Sequence, residues 1–100
     1  MPKIRNYAMV SWKEKPEWWD DFLQILREKV ERRGRLILTK GLLKAYLLKA
    51  GAIDLSDRSY RNTMQITREA LLDGKWMDGL KAEKITNITL KVIRNASNDD

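Results

Sequence analysis

Apolar residues recur along this chain at helical spacing in three segments and at strand spacing near its end. Trp19, Phe22, Leu23, Leu26 and Val30 fall three and four residues apart, which places them on one helical face. Pro16 suits a first helical turn, where its missing N–H costs nothing. Glu17, Asp20 and Asp21 follow near that start, and Arg32 and Arg33 precede Gly34. This order suits the helix dipole and a left-handed cap. The pattern predicts a first helix over 16–33. The short apolar run Arg35 to Leu38 predicts one small strand. Thr39 can then cap a second helix through its hydroxyl, predicted over 40–50 and ended by Gly51. Its buried face is expected to hold Leu42, Leu43, Tyr46, Leu47 and Ala50.

The link Gly51 to Leu55 is short, so the second and third helices must be spatial neighbours. Ser56 is the expected N-cap, with Leu55 and Tyr60 at the spacing of a hydrophobic staple. Tyr60, Met64, Thr67 and Leu71 stack one turn apart with Ala70 beside them, predicting a third helix over 57–73 that ends at Gly74. Trp76 is expected to plug a sheet beneath this helix. Asp78-Gly79 is a turn dipeptide common in hairpins. Ile88, Leu90 and Val92 alternate with Thr89, Lys91 and Ile93, which predicts a strand. Tyr7, Met9 and Val10 favour a further strand within 4–10. The resulting organisation is an N-terminal strand or arm over 1–15, one domain over 16–94, and a tail over 95–100 that has nothing to bury and should fray.

Composition removes several classes of chemistry. The 100 residues contain no cysteine and no histidine, so there is no disulfide framework, no thiolate metal site and no imidazole base. Asp20 and Asp21 are explained by a helix start, and Asp54, Asp57, Asp73 and Asp78 by caps and turns. No paired-carboxylate arrangement, phosphate loop or nucleophile motif is found. The expectation is a protein that is not an enzyme, with no catalytic residue, no cofactor and no metal, although a Lys- or Tyr-based activity stays open. No apolar run approaches the roughly 18 residues of a membrane span, and the N-terminus lacks the apolar core of a signal peptide. A cytoplasmic protein is expected, in which Asn87-Ile88-Thr89 and Asn95-Ala96-Ser97 are chance glycosylation matches.

Charge sharpens the picture. The net charge is +6, and all of it resides in residues 1–50, which hold twelve basic and six acidic side chains. Between Arg32 and Lys49 there are six basic residues and no acidic one. Such a block attracts polyanions by releasing their condensed counterions; alternatively, it is a solvated surface.

The order helix, strand, helix, helix, hairpin resembles the winged helix-turn-helix superfamily. The likeness rests on Thr39-Lys40-Gly41-Leu42-Leu43 opening one helix of the pair and Ser56-Asp57-Arg58-Ser59-Tyr60-Arg61-Asn62-Thr63 opening the next. Glu69-Ala70-Leu71-Leu72-Asp73-Gly74-Lys75-Trp76 then leads into the wing. The resemblance covers roughly residues 16–93. It implies a mainly helical α+β fold, three helices with a small β-hairpin wing, whose third helix lies in the major groove of double-stranded DNA. It departs from the family pattern in a longer link between the paired helices and in having only one convincing wing strand.

Within that reading, Arg58, Arg61, Gln65 and Arg68 step by three, four and three residues, which keeps them on one stripe. Ser59 and Asn62 flank it. Arg matches guanine edges, and Asn or Gln adenine edges, so Arg58, Ser59, Arg61, Asn62 and Gln65 are the expected base contacts. Lys40, Lys44, Arg68, Lys81 and Lys84 are the expected phosphate contacts. The plain alternative is a wet helix face on which Arg pairs with Asp57 or Glu69. Trp18 and Trp19 are adjacent, so one helix face cannot bury both. Either both pack partly against the N-terminal segment, or one anchors a homodimer through helix 16–33. The expected function is a nucleoid-associated transcriptional regulator. The alternatives are an architectural DNA- or RNA-binding protein without sequence preference, and a winged-helix protein-interaction module.

Overall fold

The computed structural model describes residues 12–95. The strand expected within 4–10 and residues 96–100 of the expected tail lie outside the described residues. Six elements follow in the order α1 (Trp19–Arg33), β1 (Arg35–Leu38), α2 (Lys40–Lys49), α3 (Tyr60–Asp73), β2 (Leu80–Lys84) and β3 (Leu90–Arg94). The strands form one antiparallel sheet in the order β1-β3-β2. Leu36 faces Val92, and Val92 faces Ala82; Leu38 faces Leu90. The fold is therefore α+β, with three helices and a three-stranded sheet among the described residues. No helix among them is long and apolar enough to cross a membrane.

The alternation of each strand sets its two faces. Leu36, Leu38, Leu80, Leu90 and Val92 turn inward and join Trp19, Phe22, Leu23, Leu26 and Val30 of α1 in one core. Leu43 and Leu47 of α2, with Met64, Ala70 and Leu71 of α3, complete it. Every residue expected on the α1 face is buried. On α2 the stripe is narrower than expected: Leu43 and Leu47 are buried, Tyr46 and Ala50 flank them half-buried, and Leu42 is exposed. Burying an apolar side chain of this size is worth about 1.5–3 kcal/mol, so the sheet and α1 carry most of the packing. On the outer face, Glu83 lies 3.7 Å from Lys81 and 3.6 Å from Lys91. Exposed pairs of this kind contribute little.

Several expected boundaries move, each for a local reason. The first helix starts at Trp19 rather than Pro16, because the Trp19 N–H closes a three-residue turn onto the Pro16 carbonyl at 3.0 Å. The second ends at Lys49, one residue early. Thr39 caps it as expected, its Oγ1 accepting from the Leu42 N–H at 3.2 Å.

The third helix starts at Tyr60 rather than Asp57, and Ser56 is not its cap. The Ser56 N–H and hydroxyl both donate to Asp54 Oδ1, at 3.0 and 2.9 Å. The Ser59 N–H donates to Asp57 Oδ1 at 2.9 Å. Two successive Asp-anchored turns therefore occupy the groups that a cap would use. Leu55 is exposed, and the expected staple spacing no longer falls at the helix start.

These hydrogen bonds hold both carboxyls below the usual aspartate range: the backbone bond from Ser56 acts most strongly on Asp54, and that from Ser59 on Asp57. A depressed carboxyl contributes stability above its unfolded pKa and loses it as pH falls through the folded value. Amide exchange at Ser56 and Ser59 should therefore quicken on acidification through and below the ordinary aspartate pKa, relative to amides inside α1. Equal acid sensitivity at both places would show that the turns do not depend on the carboxylates.

The connection from α3 to β2 also departs from expectation. Asp78-Gly79 does not turn the hairpin; it precedes β2, and the hairpin turns over 85–89, where the Ile85 and Thr86 amides both donate to the Thr89 carbonyl. Ile88 lies in that turn, exposed, rather than in the strand. Gly74, Trp76, Asp78 and Gly79 all take positive φ, so the chain coils back toward α1. It is tied there by the Trp19 Nε1–H donating to the Trp76 carbonyl at 3.0 Å, and by Arg27 Nη2 donating to the Asp78 carbonyl at 3.1 Å. Trp76 thus packs against α1, its ring centroid 5.7 Å from that of Trp19. Asn95, placed in the tail by its sequence, donates its N–H to the Gly79 carbonyl at 2.8 Å.

Candidate nucleic-acid interface

The outward face of α3 begins in the turn before it. Tyr60, Arg61 and Asn62 reach back with their amides to the carbonyls of Asp57, Arg58 and Ser59, a tight turn that launches the helix. Arg58 and Ser59 consequently stand in that turn and not on a regular helical stripe. Both are exposed, as are Arg61, Asn62 and Gln65. The opposite face is anchored by Met64, Thr67, Ala70 and Leu71. Thr67 is fully buried, and its hydroxyl is satisfied by the Thr63 carbonyl at 2.6 Å.

One expected base reader, Gln65, and one expected phosphate contact, Arg68, are already engaged with neighbours. Arg68 Nη2 donates to Gln65 Oε1 at 3.2 Å, and Gln65 Nε2 donates to Glu69 Oε2 at 2.8 Å. Gln65 thus bridges an arginine and a glutamate on its own helix. Among the described residues, no ion pair joins Arg58, Arg61 or Arg68 directly to a carboxylate; in place of the direct pairing with Asp57 or Glu69 that the plain alternative called for, Arg68 reaches Glu69 through Gln65.

The helix pair encloses a cleft of about 620 Å³ lined by Lys40 and Lys44 from α2 and by Tyr60, Arg61, Gln65 and Arg68 from α3, with buried Met64 in its wall. Among the described residues, no carboxylate lines it. Lys44 Nζ lies 5.6 Å and Arg61 Cζ 5.8 Å from the Tyr60 ring centroid, within cation–π range. Hydrogen bonding with Arg61 and then the charge of Lys44 hold the Tyr60 phenol below the usual tyrosine range; burial opposes them, and the charges of Arg61 and Lys40 add lesser lowering effects. Burial lowers the Arg68 pKa from its ordinary value, with Glu69 opposing.

The cleft gathers three of the five expected phosphate contacts, Lys40, Lys44 and Arg68. Lys81 and Lys84 are not among its walls. They alternate across β2, with Lys81 near Glu83 on the outer face and Lys84 on the other. The basic block of Arg32 to Lys49 also divides. Arg32 and Arg33 end α1 and Lys49 ends α2, where the helix dipole favours cations; only Lys40 and Lys44 face the cleft.

No family model matches the chain, and no curated protein or solved structure matches it either.

Tyr60 has a second role that its sequence does not announce. It packs half-buried against the core, as its spacing with Met64, Thr67 and Leu71 predicts, and it also carries the cations of both helices. A helical period detects which residues share a face, not which neighbouring helix supplies a lysine.

The aromatic surface expected on the first helix is also revised. Trp19 is fully buried and cannot serve as an exposed anchor. Trp18 is half-buried, 5.3 Å from Trp12 and 5.8 Å from Trp19 by ring centroids. Trp12, which the sequence leaves unplaced, closes this cluster edge-on.

Proposed function

We propose that this chain is a double-stranded DNA-binding domain of winged-helix type that reads the major groove with α3 and acts as a transcriptional regulator. The observation that carries the reading is the accessible side of α3 and the turn before it: Arg58, Ser59, Arg61, Asn62 and Gln65 are all exposed beside a cleft that no carboxylate among the described residues lines. Arg61 and Asn62 are the base readers, and Arg58 and Ser59 reach the groove from the preceding turn. Lys40, Lys44 and Arg68 hold the flanking backbone. β2 and β3 form the wing, from which Lys84 reaches a phosphate. The domain supplies no catalytic group. Any homodimer through α1 uses Trp18, not Trp19.

Selection from random duplexes, followed by titration at several salt concentrations, tests this. An enriched sequence, with affinity falling steeply as salt rises, is the expected result. Tight binding with no enrichment favours the second reading, a backbone-gripping architectural protein. The specific support for that alternative is the Arg68–Gln65–Glu69 relay, which leaves Gln65 less free to read a base.

A further inference from the structure

We infer that the cleft between α2 and α3 is a binding site for a small phosphomonoester, a free dianion such as a nucleoside monophosphate, and that its occupation excludes duplex DNA from α3. The first part stands on the cleft alone; the second rests on the DNA-binding reading above.

Lys40, Lys44, Arg61 and Arg68 converge on one concavity, and no carboxylate among the described residues lines it. Its volume of about 620 Å³ falls within the range of small-molecule sites and far exceeds what a lone phosphate needs. The remaining space can take a sugar and base, and Tyr60 stands within the same walls.

Arg68 supplies the strongest sign of a ligand. Its Nε and Nη1 atoms are enclosed and have no hydrogen-bond partner among the described residues. Its Nη2 is fixed on Gln65, which is fixed in turn on Glu69. Burying guanidinium N–H groups unpaired is costly, and a charged acceptor recovers that cost. The relay fixes Nη2, so a ligand reaches Nε and Nη1 once the groups that enclose them move aside. Four cations favour a doubly charged monoester over a singly charged diester. Arg61 and Gln65 line this cleft and also stand among the proposed base readers, so one occupant denies them to the other.

The test uses the full chain, isotopically labelled, at about 0.15 M NaCl and above the second phosphate ionisation. It is titrated separately with inorganic phosphate, AMP and dimethyl phosphate while resonances are followed. AMP is expected to bind about tenfold or more tightly than dimethyl phosphate. Its shifts should be confined to Lys44, Tyr60, Arg61 and the Arg68 Nε–H. Arg68→Met should weaken AMP about tenfold, and Lys44→Met, in a side chain at the cleft's rim, should weaken it as well. Lys91→Met, on the outer sheet face, should not. Equal binding of monoester and diester, or shifts spread evenly over Arg32, Arg33 and Lys49, would overturn the site. Competition is read separately, from the anisotropy of a labelled duplex. Displacement by AMP at the same concentrations supports exclusion, and a duplex retained at saturating AMP overturns it. Should no duplex bind at all, the DNA reading and the exclusion fall together, while the AMP titration still decides the cleft.

Discussion

Trp19→Ala is expected to remove about 3–5 kcal/mol of folding stability, the usual cost of truncating a buried tryptophan. The side chain is fully buried. Its ring contacts Trp12, Trp18, Phe22 and Trp76 at centroid separations of 6.0, 5.8, 5.7 and 5.7 Å. Its indole N–H satisfies the Trp76 carbonyl, which pins the α3–β2 connection to α1. Total stability for a domain of this size is about 5–15 kcal/mol, so the loss is a large fraction of the whole. Urea unfolding followed by far-UV circular dichroism measures it. Trp19→Phe, which keeps most of the ring but leaves the Trp76 carbonyl without its donor, should cost only about 1–3 kcal/mol. Equal losses from the two variants would mean that ring volume contributes little and the single hydrogen bond dominates.

Arg61→Ala should cost about 1–3 kcal/mol of affinity for a selected duplex, roughly five- to 150-fold, and relax preference at one position of the site. Arg61 is exposed, and its ring partner Tyr60 stays in place through the rest of α3. Folding stability should therefore move by no more than about 0.5 kcal/mol. Lys44→Ala behaves differently if it holds a phosphate: every duplex weakens together, and the salt slope flattens by about one. Anisotropy titrations of both variants against selected and scrambled duplexes separate the two roles. A uniform loss from Arg61→Ala, with no change in preference, would remove it from the base readers and strengthen the architectural alternative.

Much of this fold is legible in the chain because its apolar residues leave little choice of face. Trp19, Phe22, Leu23, Leu26 and Val30 can be buried together only on a helix, and Gly34 ends that helix in the left-handed conformation, at φ 87°. β1 and α2 follow from a short apolar run and a capping threonine. What the pattern conceals is competition for hydrogen bonds. Ser56 looks like a cap until Asp54, two residues earlier, takes both its donors. Asp78-Gly79 looks like a hairpin turn until the positive φ of Trp76 and Asp78 is seen to coil the chain back upon α1. β2 is obscured because Lys81, Glu83 and Lys84 surround its inward Leu80 and Ala82. The cleft is hidden for a different reason. Its residues come from two helices, and only their packing sets Lys44 over Tyr60.

The strand order has a consequence for how the chain acquires its shape. β3 lies between β1 and β2, so the central position of the sheet is filled by the strand that leaves the ribosome last of the three. Until it arrives, Leu36 and Leu38 have no pairing partner, and the helices have only a partial floor to settle on. Cooperative closure then waits on a distant segment, and loop-closure entropy slows such pairing. Synthesis halted before β3 should yield a collapsed, protease-sensitive intermediate, in which even a well-formed α3 has no rigid platform from which to be presented.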